Sequence, residues 1–400
     1  MPPIRFLIFF LVITGLSALI HYYLWARLVR DPAWELVVRR PLTVFFVVAA
    51  AFPLLSMIGG RLLPRSFAQP FAWVTTTWLG VMFFLVVLVG AAAPGERRPV
   101  VVLVGGTDLL RLLASPLVGD ALAEPSRRTF FARTLASLVT GTTAVLGTIA
   151  TSEALSRVRV KPVRVPMAKL PSSLSGYTIV QLSDIHVGPT IGGDFIRQIV
   201  AQTNALEPDM VVITGDLVDG SVEELGPHVL PLRELRAKDG VFFVTGNHEY
   251  YSGADAWIAF LREIGITVLR NERVAIRGEE GFDLAGVDDW RARDILPTHG
   301  PDLDAALRGR DESRALVLLA HQPKQAHDAL AKGVCLQLSG HTHGGQIFPF
   351  TWLVRLEQPY VAGLHRVGDA HLYVSRGTGY WGPPMRLRSP AEITRIELVS

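Results

Sequence analysis

Three stretches of roughly twenty almost uncharged residues, 4–25, 42–60 and 71–93, are each bounded by Arg or Pro, and that length is what a helix needs to cross ~30 Å of hydrocarbon. In lipid such a stretch has little choice of conformation, because each backbone polar group must find its partner inside the chain. A fourth, more polar and Thr/Gly-rich candidate covers 135–150, preceded by the polar run 129–133. The segment 100–119 is weaker, because Asp108 and Arg111 fall in its middle and each costs ~3 kcal/mol at a helix centre. It reads either as a re-entrant or interfacial segment or as a fifth span whose charges pair across one turn. Residues 1–151 are therefore expected to form an all-α transmembrane region of four or five helices, making this a multi-pass protein of the cell membrane in contact with the lipid bilayer.

Charge divides the chain at the same place. Residues 1–150 carry 13 Arg, no Lys and 6 acidic residues, whereas the remaining 250 carry 26 basic and 30 acidic residues and 10 of the 11 His. The net +3 averages two unlike halves, so no nucleic-acid partner is predicted. The single Cys335 excludes a disulfide framework and a cysteine-based zinc cage, and it reads as a buried small hydrophobe within a strand.

Sidedness is balanced on charge alone. Four spans with the second half outside place nine Arg inside against three outside, as the positive-inside rule requires. Five spans with that half inside satisfy the rule comparably. The run Ser126-Arg127-Arg128-Thr129-Phe130-Phe131 before the last span resembles a twin-arginine export signal, which favours an extracytoplasmic second half over a plain stop-transfer flank.

Residues 152–176 read as a linker and edge strand, punctuated by Pro162, Pro166 and Pro171. From 177 to 400 the pattern repeats: a short Val/Ile/Leu run, then at once a polar, Gly-rich turn. The run 177–182 leads into Ser183-Asp184-Ile185-His186, 210–213 into Thr214-Gly215-Asp216-Leu217-Val218-Asp219, and 241–244 into Thr245-Gly246-Asn247-His248-Glu249. Likewise 316–319 leads into Ala320-His321-Gln322-Pro323, and 334–338 into Ser339-Gly340-His341-Thr342-His343-Gly344-Gly345-Gln346. Uninterrupted apolar runs alternating with amphipathic stretches predict strands buried on both faces, and in such sheets function gathers at strand carboxyl ends. Two His at i and i+2 on extended chain diverge, so His341 and His343 suit two metals rather than one.

With these motifs together, the chain resembles the calcineurin-like metallophosphoesterases, and in particular a membrane-attached or exported bacterial branch whose domain opens with Leu-Ser-Asp-x-His-x-Gly, here Leu182 to Gly188. The resemblance implies a four-layer α-β-β-α sandwich over 177–400. It implies Asp184, His186 and His343 as ligands of one divalent metal ion and Asn247, His321 and His341 of a second, with Asp216 shared by both. His248 would be the general acid, oriented by Asp219. Nitrogen and oxygen ligands without thiolate suit Mn, Fe, Zn, Co or Ni. Two dications against two carboxylates and a hydroxide leave a site of about +1, attractive to a phosphoester yet able to release it, with the metals supplying hydroxide at neutral pH.

The expected function is membrane-anchored hydrolysis of phosphodiester or pyrophosphate bonds, with a lipid-linked or cell-envelope substrate preferred. A phosphomonoesterase and a non-catalytic phospholipid-binding sensor are the alternatives. Around the site, Asp288, Asp289 and Trp290 either line the pocket or form a capped turn. Arg386 and Arg388 are expected in solvent, reach to a phosphate or a membrane headgroup being the other reading. Phe348, Phe350, Trp352 and Tyr360 are expected to pack on the sheet, an apolar lip being the other reading.

Overall fold

The computed structural model describes residues 3–53, 55, 65–92, 125–167 and 169–400. By its internal contacts the chain forms two compact units, Met1–Thr151 with Gly382–Pro384, and Ser152–Trp381 with Met385–Ser400.

The first unit contains α1 (Pro3–Trp25), α2 (Leu36–Ala49) and α3 (Arg65–Ala92), and α4 (Pro125–Leu155) begins within it. Among the described residues three helices are long and apolar enough to cross a membrane: Phe10–Arg30, Phe67–Ala91 and Ser126–Leu155. The second expected span, 42–60, is described only in part. Its helix starts earlier than expected, at Leu36, because Arg39, Arg40 and Pro41 are absorbed into its first turns. The segment 100–119 lies outside the described residues. The helices are pinned by polar contacts as well as by packing, among them Trp25 Nε1 donating to Thr43 Oγ1 at 3.0 Å. Trp78 Nε1 donates to His21 Nε2 at 3.0 Å, and an indole N–H can only donate. His21 therefore carries its proton on Nδ1, 2.8 Å from the Ser17 carbonyl.

The second unit is built on two six-stranded sheets. The first runs β1 (Arg159–Pro166), β12 (Glu392–Val399), β2 (Thr178–Leu182), β3 (Met210–Ile213), β4 (Val241–Phe243) and β5 (Thr267–Val268). The second runs β10 (Gly363–Val367), β11 (Ala370–Val374), β9 (Leu336–Ser339), β8 (Leu316–Leu319), β7 (Phe282–Gly286) and β6 (Glu272–Ile276). The side-chain alternation of a strand sends Ile179, Met210, Val212 and Phe242 of the first sheet against Phe282, Leu284, Val317 and Leu338 of the second. The other face of the first sheet, Val180, Leu182, Val211, Ile213 and Phe243, packs on α5 (Gly193–Asn204), α6 (Val222–Val229) and α8 (Ala254–Glu263) through Ile196, Val229 and Trp257. Leu316 and Leu318 do the same for the second sheet against Ala306 and Ala329. Helix, sheet, sheet and helix are the four layers that the resemblance implies.

β1 is an edge strand paired on one side only, parallel to β12, which lets it carry Pro162 and Pro166. One expectation needs correcting: Cys335 precedes β9 and is half-buried, because it enters the sheet directly from the turn at exposed Gly333, although its backbone already bonds Leu316 O and His371 N.

Candidate metal centre

β2, β3 and β4 are parallel neighbours, as are β8 and β9, so their carboxyl ends open on one side of each sheet. Gln181 ties the two sheets there, its Nε2 donating to Thr214 Oγ1 and to the Ser339 carbonyl, both at 2.9 Å. Asp184 and His186 follow β2, Asp216 follows β3, His321 follows β8, and His341 and His343 follow β9. Asn247 opens α7 (Asn247–Ser252), directly after β4.

Bringing these side chains together demands unusual backbone. Asp184, His186, Asp216, His341 and His343 have φ of 51°, 55°, 52°, 72° and 50°, a left-handed region that costs non-glycine residues ~1–3 kcal/mol each. Interlocking bonds hold the bends: Asp184 N donates to Gly215 O at 3.0 Å, His186 N to Asp216 O at 3.1 Å, and Gly379 N to Asp184 O at 3.0 Å. Gly246 and Gly340 are required for close approach, since a Cβ would strike Asp216 at the first and Ser183 and Asp184 at the second.

Among the described residues three groups of potential ligand atoms result, Asp184/His186/His343, Asp216/His321/His341 and His186/Asp219/His248, each gathered within 4.8 Å. In the first, His186 Nε2 and His343 Nε2 are 3.1 Å apart and Asp184 Oδ1 is 3.5 Å from His343 Nε2. In the second, His321 Nε2 is 3.1 Å from Asp216 Oδ2. That same Oδ2 is 3.9 Å from His186 Nε2, so Asp216 stands between these two groups. His341 and His343 fall in different groups.

The donor chemistry fits divalent cations. His321 Nδ1 donates to the Thr214 carbonyl at 2.7 Å, which aims Nε2 at the Asp216 carboxylate; burial lowers this imidazole, yet Asp216 and Asp184 lift it well above the usual range, so the position calls for a proton or a cation between the two atoms. Both His321 Nε2 and Asn247 Oδ1 are buried without a hydrogen-bond partner, the state expected of atoms whose partner is a cation. Burial, reinforced by the charge of His321, pushes His341 down to about 3. Burial together with His186 lowers His343 well below the usual range. Both rings thus stay neutral with a lone pair to give. Burial raises the Asp184 carboxyl. Burial also opposes the charge on Asp216, but His321 and His248 outweigh it and hold that carboxyl well below the usual range.

Asp219 and His248 lie beside the first two groups. Asp219 Oδ1 is 2.5 Å from His248 Nδ1, and Oδ2 is 3.2 Å from His186 Nδ1. One carboxylate therefore takes the Nδ1 proton of both rings and turns both Nε2 atoms inward, a double role that its sequence position does not reveal. Burial lowers the His248 imidazole, yet Asp216 and Asp219 lift it to about 9.

Sequence reasoning missed Glu249. It is fully buried and accepts from Asp216 N at 3.0 Å, Leu217 N at 2.7 Å and Gly246 N at 2.6 Å. Its one legible signal is a carboxylate three residues after the helix cap. Arg386, expected in solvent, is buried. It donates to the carbonyls of Gly379, Ser389 and Arg376 at 2.9, 2.8 and 2.9 Å, with Nη2 3.4 Å from His343 Nδ1. Arg388 is exposed, over the Phe348 ring at 5.1 Å. Asp288 is held by Arg270 at 2.9 and 2.7 Å, and Asp289 takes the Gln322 amide at 3.0 Å and Arg291 N at 2.8 Å. Both are buried and brace the surrounding loops, while Trp290 is exposed.

Residues 177–345 match the family model for calcineurin-like phosphoesterases. The chain is 43% identical over 273 residues to a transmembrane protein with metallophosphoesterase domain from Danio rerio, a match covering 66% of this chain and 62% of that protein. It is 43% identical over 249 residues to a metallophosphoesterase of Helicobacter pylori (62% and 65%). It is 35% identical over 243 residues to one of Aquifex aeolicus, covering 60% of this chain and 92% of that protein. The chain thus spans somewhat less than two thirds of the first two relatives' length.

Glu249→Ala removes the acceptor from three buried N–H groups, and disturbing such a supporting contact weakens metal binding ~10–100-fold. Mn²⁺ titration of the purified protein, followed by electron paramagnetic resonance, is expected to give that loss for Glu249→Ala. An unchanged affinity would show that Glu249 does not organise the site.

Proposed function

We propose, from the premise that this chain belongs to the calcineurin-like phosphoesterases, that it is a membrane-anchored hydrolase of phosphoester bonds. Residues 1–151 are the anchor, 152–176 the linker and 177–400 the catalytic domain. The three helices apolar enough to cross a membrane support the anchor. We place the catalytic domain outside the cytoplasm, on the strength of the paired Arg127 and Arg128.

Asp184, His186 and His343 would hold one divalent cation, Asn247, His321 and His341 the other, and Asp216 both. The observation that carries this reading is the convergence of His186, His321, His341 and His343 with Asp184 on the Asp216 carboxylate, in two groups of three potential ligand atoms. Two divalent cations bound there supply water acidified into the neutral range and positive charge to polarise the phosphoryl oxygens.

The chain's own residues do the rest. Asp219 fixes the tautomers of His186 and His248 through their Nδ1 atoms. His248 Nε2, 4.0 Å from Asp216 Oδ2, faces the same space and protonates the departing oxygen. Arg386 and Glu249 reach no substrate and keep the turns in place. The preferred substrate is a phosphodiester or pyrophosphate of a lipid or cell-envelope molecule, consistent with a catalytic domain tethered to a bilayer.

Asp216→Asn is expected to abolish turnover and lower the occupancy of both metals. His248→Ala is expected to lower kcat ~10²–10⁴-fold with two metals still bound, and metal loss in that variant would mean its role is misassigned. Comparing diester with monoester turnover of the Mn-loaded protein decides between a diesterase and a monoesterase. A general acid must hold its proton, so activity declines as pH rises through the His248 pKa. Asp219 helps raise that pKa, hence Asp219→Asn moves the alkaline limb of kcat/KM to lower pH. A limb that stays in place would remove His248 from that step.

A further inference from the structure

Two aromatic rings stand against His248. Tyr251 lies 5.4 Å away at 75° and Trp381 5.7 Å away at 74°. They are 58% and 54% exposed. Single exposed aromatics need no explanation, but two converging on the ring assigned to protonate the leaving oxygen do. Neither is loosely placed. Tyr251 rides on α7, the helix that begins with Asn247. Trp381 N donates to Gln346 Oε1, and Gln346 Nε2 to Trp381 O, each at 2.9 Å. Gln346 directly follows the turn His343–Gly345, so each ring moves with a segment that carries candidate metal ligands.

A second, independent observation concerns location. Tyr380, the neighbour of Trp381, is buried with Ile191 against Ala154, and Phe195 packs on the same cluster. Ala154 belongs to the last turn of α4, the helix that holds the candidate span Ser126–Leu155. Tyr380 thus packs on Ala154 within the same unit. Beyond Gln346 the chain enters α12 (Thr351–Glu357), whose Trp352, Leu353 and Leu356 are also exposed.

We infer that Tyr251 and Trp381 form the leaving-group subsite and select phosphoesters whose leaving alcohol is the apolar part of an amphipathic lipid. This rests on the hydrolase reading above. Trp and Tyr combine an apolar body with a polar tip, the character that places them at membrane interfaces. In the reaction a water oxygen forms a new bond to phosphorus, and the P–O bond to the lipid alcohol breaks with its electron pair on the alcohol oxygen. That oxygen takes the proton from His248 Nε2, and the proton lost by the water restores His248.

The test uses the full chain in detergent micelles with Mn²⁺ and two phosphodiesters that share a methyl group, one carrying an ethyl and the other a dodecyl alcohol. The wild type is expected to prefer the dodecyl ester in kcat/KM, and Tyr251→Ala or Trp381→Ala to cut the dodecyl-to-ethyl ratio about tenfold, the scale of a lost apolar contact. Both rings are more than half exposed, so their truncation leaves the core intact. Binding of the matching non-hydrolysable phosphonates, measured by calorimetry, separates the two claims. A dodecyl preference in binding that both variants lose, with no phosphoester turned over, upholds the subsite and overturns the hydrolase reading. Turnover without chain-length preference, or a ratio unchanged in both variants, overturns the subsite alone.

Discussion

The site depends on one carboxylate surrounded by imidazole nitrogens. Asp216 Oδ2 faces His321 Nε2 at 3.1 Å and His186 Nε2 at 3.9 Å, while Oδ1 is occupied by the backbone N–H of His248 at 2.9 Å. Such a cluster needs positive charge within it, as a proton on His321 or a bound cation, and the fold must hold its geometry by other means. Five residues in left-handed backbone, the three-way clamp of Glu249 and the glycines at 246 and 340 are those means. The two-sheet core beneath them supplies the stability against which this local strain is set.

The fold was legible because buried strands write themselves as unbroken apolar runs, and because each run here stops at a polar turn. β2, β3 and β8 appear in the sequence almost at their observed bounds. The candidate ligands were legible for the same reason: each occupies the first positions after a strand, where the fold leaves few directions for a side chain. Glu249 was missed because its partners, Asp216 N and Leu217 N, lie on a different turn more than thirty residues away. Arg386 was misjudged because Pro383 and Pro384 before it read as an exposed loop, whereas the guanidinium is buried among the carbonyls of the loop that follows β11. The second role of Asp219 depends on the orientation of His186, which no local pattern encodes.

The N-terminal helices and the two-sheet domain obey different rules. In the helices, length and apolarity are constrained and register is loose, so the start of α2 shifted from residue 42 to Leu36 without loss of character. In the domain, single atoms matter, and a Cβ at Gly246 is already too much. The aromatic pair beside His248 belongs to both regimes, positioned by the metal-site turns yet exposed.

Anomalous diffraction from crystals of the full chain grown with Mn²⁺ tests the account most directly. Two anomalous peaks are predicted, one among Asp184, His186 and His343, the other among Asn247, His321 and His341, with the Asp216 carboxylate between them. A single peak, or peaks away from Asp216, would contradict it.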